Sequence, residues 1–260
     1  MDIDRADVLL YSFTKQEHYR QREGLLMDAV DLLTQFNLTR QEASIYLALL
    51  EGGGMNGYET AKRTGISRSN AYTSLAALVD KGAAFVIEGA AVRYVPVPVK
   101  EFCENKIRKL QDTKVDLYKV IPQKQEEAEG YITVKGHGHI VDKMRNMISD
   151  AKERVYISAS KQIIGTILPE IKNGISRGLK VVLITDEQLE LEGAIIHVAE
   201  KSSRQIRLIV DSANVLTGDV EEGNNATCLY SKKKNLIDLL KDSLKNEIKL
   251  IEITKGNSRA

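Results

Sequence analysis

Apolar residues return at helical intervals from Leu25 to Phe36, at Leu26, Val30 and Leu33, and the run ends at Asn37. Thr39-Arg40-Gln41-Glu42 has the spacing of a capping box, in which Thr39 and Glu42 satisfy each other's backbone amides. The helix it opens is expected to turn Ala43, Tyr46, Leu47 and Leu50 inward and to stop at Gly52-Gly53-Gly54. A shorter helix starts at Asn56, carries Ala61 and ends at Gly65, where glycine takes a left-handed backbone at little cost. Ser67 then caps a third helix whose core face is Ala71, Leu75, Leu78 and Val79 and whose end is Lys81-Gly82. After Gly82 the period changes to that of strands: Phe85-Val86-Ile87, a turn at Glu88-Gly89-Ala90, then Val92 to Val95. Pro96 and Pro98 punctuate the chain there. Three helices and a hairpin predict a winged helix-turn-helix over residues 25–98.

Residues 1–24 are polar and mixed apart from the cluster Val8-Leu9-Leu10-Tyr11, and form an N-terminal extension. In the connector, residues 99–129, Cys103, Ile107, Leu110, Leu117 and Ile121 fall on steps of four and three, with Lys114 in the remaining seam position. Such a stripe docks on its own domain or forms a dimer coiled coil. The dimer fits better, because a winged helix of this kind reads a two-fold operator. Pro122 ends or kinks the helix.

From 130 to 260 the periods alternate. A strand at Ile132–Val134 precedes a helix over 139–151, and Val155–Ser158 is a second strand. One helix then runs through Ile171 and Ile175 to Gly178, and Leu179–Ile184 reads as a strand buried on both faces. Apolar runs at 194–198, 206–210 and 226–230 and a last helix over about 233–246 complete an α/β domain around a mixed sheet. The fold class is α+β multi-domain: a winged helix-turn-helix, a coiled-coil helix and an α/β domain.

At 260 residues, 43% hydrophobic and 28% charged, the chain has the bulk of a soluble protein with two modest cores. A net charge of +1 means that affinity for nucleic acid must come from a local patch. Cys103 and Cys228 lie far apart and outside metal-ligand spacing, which fits a reducing compartment. No apolar run approaches the roughly 18–20 residues of a membrane span, and Met1-Asp2-Ile3-Asp4 lacks the order of a secretion signal. A cytoplasmic protein with no membrane partner is expected.

The patch is sought at the third helix. Ser67, Arg68, Ser69, Asn70, Tyr72 and Thr73 are the side-chain types that read base edges and hold phosphates in a major groove. For Tyr72 two readings stay open: a DNA contact, or a ring packed inside with only its hydroxyl shown. Lys62 and Arg63 are expected against the backbone flanking the groove, and Arg93 in the wing reaches a phosphate or minor groove. His137-Gly138-His139 reads as a turn opening a helix more readily than as a metal site. Ser158-Ala159-Ser160-Lys161, past a buried strand and before a helix, is a place for a small anionic ligand. Lys232-Lys233-Lys234 is a solvated helix start.

Both halves resemble the TrmB-type transcriptional regulators of archaea and bacteria. In the first half the likeness rests on Leu38–Ala43, Tyr46–Leu50, Thr64-Gly65-Ile66, Arg68-Ser69, Ala71-Tyr72, Leu75, Leu78, Lys81-Gly82 and Arg93–Pro98. Two departures stand out: Ala83-Ala84 where the family places a bulky apolar residue, and Ser67 where its turn often has proline. The second half looks like a regulatory relative of the phospholipase D fold. Active members of that superfamily carry His-x-Lys-x-x-x-x-Asp; aligned here are Arg204, Ile206 and Asp211. An always-protonated guanidinium cannot attack phosphorus, so the resemblance implies no catalytic residue, metal or cofactor. It implies a dimeric, sequence-specific regulator with a double-stranded DNA operator, itself and a small-molecule effector as partners. The effector residues expected are Ser158, Ser160, Lys161, Arg204 and Asp211, with Arg204 and Asp211 as an ion pair. The rivals are an architectural chromatin protein or adaptor, and a degenerate phospholipase D-type hydrolase.

Overall fold

The computed structural model describes residues 29–89, 91–122, 130–200, 202, 204–220 and 225–257. The expected N-terminal extension and the start of the first helix lie outside them. The chain divides into two compact units, Met1–Lys124 and Gln125–Ala260.

The first unit contains α1 (described over residues 29–35), α2 (Arg40–Gly52), α3 (Gly57–Thr64), α4 (Arg68–Asp80), the strands β1 (Ala84–Ile87) and β2 (Arg93–Pro96), and α5 (Val99–Val120). Local chemistry starts each helix. The Thr39 hydroxyl accepts from the Glu42 amide at 3.2 Å while the Glu42 carboxylate accepts from the Thr39 amide at 2.7 Å. Asn56 and Glu59 repeat this reciprocal cap on α3 at 2.9 and 3.0 Å. Gly65 ends α3 with φ 72°, and the Ser67 hydroxyl accepts from the Asn70 amide at 3.4 Å to open α4.

Ile45, Tyr46, Leu49, Leu75, Leu78 and Phe102 centre the core of this unit. One expectation is corrected here: on α2 the deeply buried positions include Ile45 and Leu49, whereas Leu50 is 36% exposed. Leu47 and Val79 pack against the core half-buried, and Ser74 is buried as well. β1 and β2 pair antiparallel from Ala84↔Pro96 to Ile87↔Arg93, and Met55 bridges to Tyr94 beside them. The first turn of α5 also belongs to this core. Phe102 is buried, 5.6 Å from the Tyr46 ring and 6.2 Å from the Phe36 ring. Tyr46 donates its hydroxyl to the Val97 carbonyl at 2.6 Å.

The second unit is built on a seven-stranded sheet in the order β3-β9-β8-β7-β4-β5-β6. Its strands are β3 (Tyr131–Lys135), β4 (Arg154–Ser158), β5 (Lys180–Thr185), β6 (Ala194–Val198), β7 (Gln205–Val210), β8 (Asn214–Asp219) and β9 (Thr227–Ser231). β4, β5 and β6 run parallel, and the other pairings are antiparallel. One face packs against α6 (His137–Asp150), α7 (Lys161–Thr166) and α8 (Leu168–Ser176) through Ile140, Met144, Ile157, Ile164, Leu183 and Leu208. The other face packs against α9 (Lys234–Asn257) through Ile184, Ile209, Val215, Ile237, Leu240 and Leu244.

Three elements differ from expectation. The single helix through Ile175 is two, α7 and α8, because Pro169 falls in the first turn of α8 and cannot extend a helix from upstream. β8 was not anticipated. α9 runs to Asn257, well past 246, because Ile248 and Ile251 continue its apolar face.

Candidate nucleic-acid interface

Ser67 fixes where α4 begins, and Ala71, Leu75 and Leu78 fix which side faces the core. Arg68, Ser69, Asn70, Tyr72 and Thr73 are therefore all exposed on its first two turns, beside the cap. The Arg68 guanidinium lies over the Tyr58 ring, 4.6 Å from its centroid, which limits its rotamers before any ligand arrives. Thr73 donates its hydroxyl to the Ser69 carbonyl at 3.0 Å. Tyr72 is half exposed, and its ring lies against Gly57, where a Cβ would stand 2.3 Å from it. Of the two readings left open, the ring is seated against α3 and shows more than its hydroxyl.

The remaining cations separate. Lys62 is exposed on α3. Arg63 pairs with Glu51 at 3.3 Å. Arg93 donates to the Gly54 carbonyl and lies 3.8 Å from Glu59, so it ties the wing to α3. Lys62, Arg63 and Arg93 line one open groove of about 500 Å³ together with Glu59. Tyr58 and Glu59 were missed as partners of the arginines; the Asn56-x-x-Glu59 cap was the readable signal for Glu59, whereas Tyr58 carried none.

Further down α5 the seam positions Ile107, Leu110, Leu117 and Ile121 are 47%, 67%, 46% and 53% exposed, so the helix does not dock that stripe on its own domain.

In the second unit the five expected effector residues do not converge. Ser158 is buried, and its hydroxyl accepts from Arg207 at 3.0 Å. Arg207 also donates to Glu247 at 2.6 Å and to the Ser243 hydroxyl at 3.0 Å, fastening α9 to the sheet. The Ser160 hydroxyl caps α7 by accepting from the Ile163 amide at 3.4 Å. The Lys161 amide, expected to meet an anion, already donates to Asp186 at 2.7 Å, and the Lys161 ammonium pairs with Glu187 at 2.7 Å. That amide bond is the main reason the Asp186 carboxyl lies below its ordinary range.

Arg204 and Asp211 flank the six-residue strand β7, seven steps and so about 23 Å apart at 3.3 Å per residue, and cannot form the expected ion pair. Asp211 instead accepts from the amides of Lys152, Glu153 and Arg154 at 2.8–2.9 Å. Ile206 is buried. His137 opens α6 directly after Gly136, and Lys232, Lys233 and Lys234 are exposed at the start of α9. Cys228 is buried, and that burial, with Asp219 nearby, pushes its thiol up to about 12.

Residues 32–100 match the family described as sugar-specific transcriptional regulator TrmB, and residues 130–246 match the N-terminal subdomain of the TrmB effector-binding domain. The chain belongs to the TrmB family. It is accordingly a DNA-binding transcriptional regulator by family. The TrmB-type chain is 28% identical over 237 residues to the uncharacterized protein YrhO of Bacillus subtilis, covering 87% of itself and 86% of that protein. Among solved structures it is similar to TrmBL2, an archaeal chromatin protein: 19% identity, TM-score 0.43, covering 86% of this chain and 98% of that one. Its similarity to NucT from Helicobacter pylori has 16% identity, a TM-score of 0.36 and 46% coverage of this chain against 97% of that one. For Nuc, a phospholipase D family member from Salmonella typhimurium, the values are 15%, 0.37, 45% and 93%. Among the described residues, no helix of this TrmB-family chain is long and apolar enough to cross a membrane.

Proposed function

We propose that the protein is a homodimer that reads a two-fold DNA operator with α4 and answers to a small-molecule effector on its second unit. The observation that carries the reading is the exposed cluster Arg68, Ser69, Asn70, Tyr72 and Thr73 on a helix start fixed by Ser67. Lys62 contacts phosphate in this reading, while Arg63 and Arg93 must share their existing partners to do so. The apolar seam of α5, exposed in the single chain, supports a helix pair. Control is by linkage: a ligand that favours one dimer geometry changes how well two recognition helices fit their half-sites. Sugars, named in the family description, are the first effectors to test. The reading assigns no catalysis, because Arg204 cannot act as a nucleophile and Ile206 carries no charge to stabilise phosphoryl oxygens.

The test is selection of bound duplexes from a random pool, followed by competition between the selected site and bulk DNA. A symmetric site with half-sites about 10–10.5 base pairs apart, or a multiple of that, is expected. Arg68→Ala should cost about 1–3 kcal/mol on that site and relax preference at one base pair per half-site. Equal competition by bulk DNA would leave an architectural protein as the better description.

A further inference from the structure

α9 crosses one face of the second sheet, and beneath its middle lies a cleft of about 270 Å³. Tyr156 and Ile209, register partners on β4 and β7, form its floor. Leu244 and Ile248 of α9 form an apolar wall. The polar lining is Arg154 at the start of β4, Lys241 and Lys245 of α9, and Ser212 in the β7–β8 turn. Among the described residues that line it, none is a carboxylate.

The nearby acids leave those cations with capacity to spare. Glu153 pairs with Arg154 at 2.9 Å and Asp242 with Lys245 at 3.8 Å, both on exposed side chains, where an ion pair is weak. Asp211 is engaged by three backbone amides, and its charge also acts on Arg154, which leaves Lys241 and Lys245 as the cations the cleft depends on most. An arginine has five donors and a lysine three, so a single paired carboxylate exhausts neither Arg154 nor Lys245. Three cations at a concave, partly apolar surface focus positive potential into it.

We propose that this cleft binds a small organic anion, an acidic head group on a partly apolar body. The head lies among Arg154, Lys241, Lys245 and the Ser212 hydroxyl, and the body covers Tyr156, Ile209, Leu244 and Ile248. A neutral polyol leaves the cations unanswered, and inorganic phosphate leaves the apolar floor wet. The binding claim is independent of the regulator reading; only its effect on DNA rests on that reading.

The full-length protein is titrated calorimetrically at constant ionic strength with octanoate and with phenyl phosphate. Octanamide, phenol and inorganic phosphate are the controls. The two organic anions should bind at least about tenfold more tightly than every control, the scale of one charge-assisted contact. Lys241→Gln with Lys245→Gln should weaken them at least about tenfold, with the melting temperature of the free protein unchanged, and the Arg pair at the same positions should restore binding. Lys245 is 65% exposed and Lys241 half-buried, so neither change disturbs the core. No binding by either anion, equal binding by octanamide or phenol, or an unaffected glutamine double variant would overturn the proposal. Selective binding that leaves operator affinity unchanged keeps the site and removes its role as the effector switch.

Discussion

Asp211 and Ser212 hold φ at 52° and 54°, two successive left-handed residues without a glycine, in a turn where the Ala213 amide donates to the Val210 carbonyl at 2.9 Å. Side chains at such positions cost about 1–2 kcal/mol each, and turns of this hand favour Asn-Gly. The Asp211 carboxylate supplies the compensation by accepting from three amides at the start of β4. Burial opposes its charge, but those amides outweigh it and hold the carboxyl below its usual range. Asp211→Asn keeps one acceptor oxygen for the Glu153 and Arg154 amides but turns a donor toward the Lys152 amide, and should cost about 1–3 kcal/mol in denaturant unfolding; a change within experimental error would remove the clamp from the account. Glu42 behaves alike. Burial opposes its ionisation, yet Lys81 at 2.6 Å and the Thr39 amide keep its carboxyl low. A depressed carboxyl adds stability that is present above its unfolded value and lost as pH falls through the folded one. Stability should therefore drop as pH falls through the carboxylate range, about 4 and below, and Glu42→Gln should flatten that slope in melts taken across it. None of the Asp211 contacts was legible in the sequence, because its partners lie 57–59 residues away. By contrast the Thr39 and Ser67 caps act within three residues and could be read directly.

Elements were legible where one local period decided them and obscure where tertiary contacts did. The helices of the first unit announce themselves by caps, by Gly65 and by spacing, and the wing by the change of period after Gly82. β8 escaped because its turn, Asp211-Ser212, lacks the glycine that marks a hairpin, and its apolar run is only Val215-Leu216. On α5 the pattern showed the seam but passed over Phe102, one residue before Cys103, which inserts between Phe36 and Tyr46. Deep burial anchors the first turn, and the exposed turns beyond it await a partner in the proposed dimer. Leu110→Glu with Leu117→Glu should convert a dimer to a monomer in sedimentation and weaken DNA binding, with folding intact because both side chains are exposed in the single chain. An unchanged dimer would move the association surface away from α5.

For the whole molecule the governing number is the net charge of +1. So balanced a chain is not held on DNA by its overall field, and the salt dependence of binding must count local contacts to phosphate. Each phosphate neutralised on duplex DNA adds about 0.9 to the slope of log affinity against log salt. Lys62, exposed on α3 near the start of α4, is the cation least tied to other side chains in the cluster, since Arg63 and Arg93 hold Glu51 and Glu59. If it meets one phosphate per subunit, Lys62→Ala should lower the slope by about 1.8 on the complete operator, and affinity should fall alike on all sequences. On a duplex carrying one half-site, where one subunit engages, the same substitution should lower it by only about 0.9. The ratio of the two changes counts the subunits on the operator without reference to any hydrodynamic method. A ratio near two supports the paired reading. Equal changes on the two duplexes would mean one winged helix per site, and an unaltered slope on both would place Lys62 outside the interface altogether.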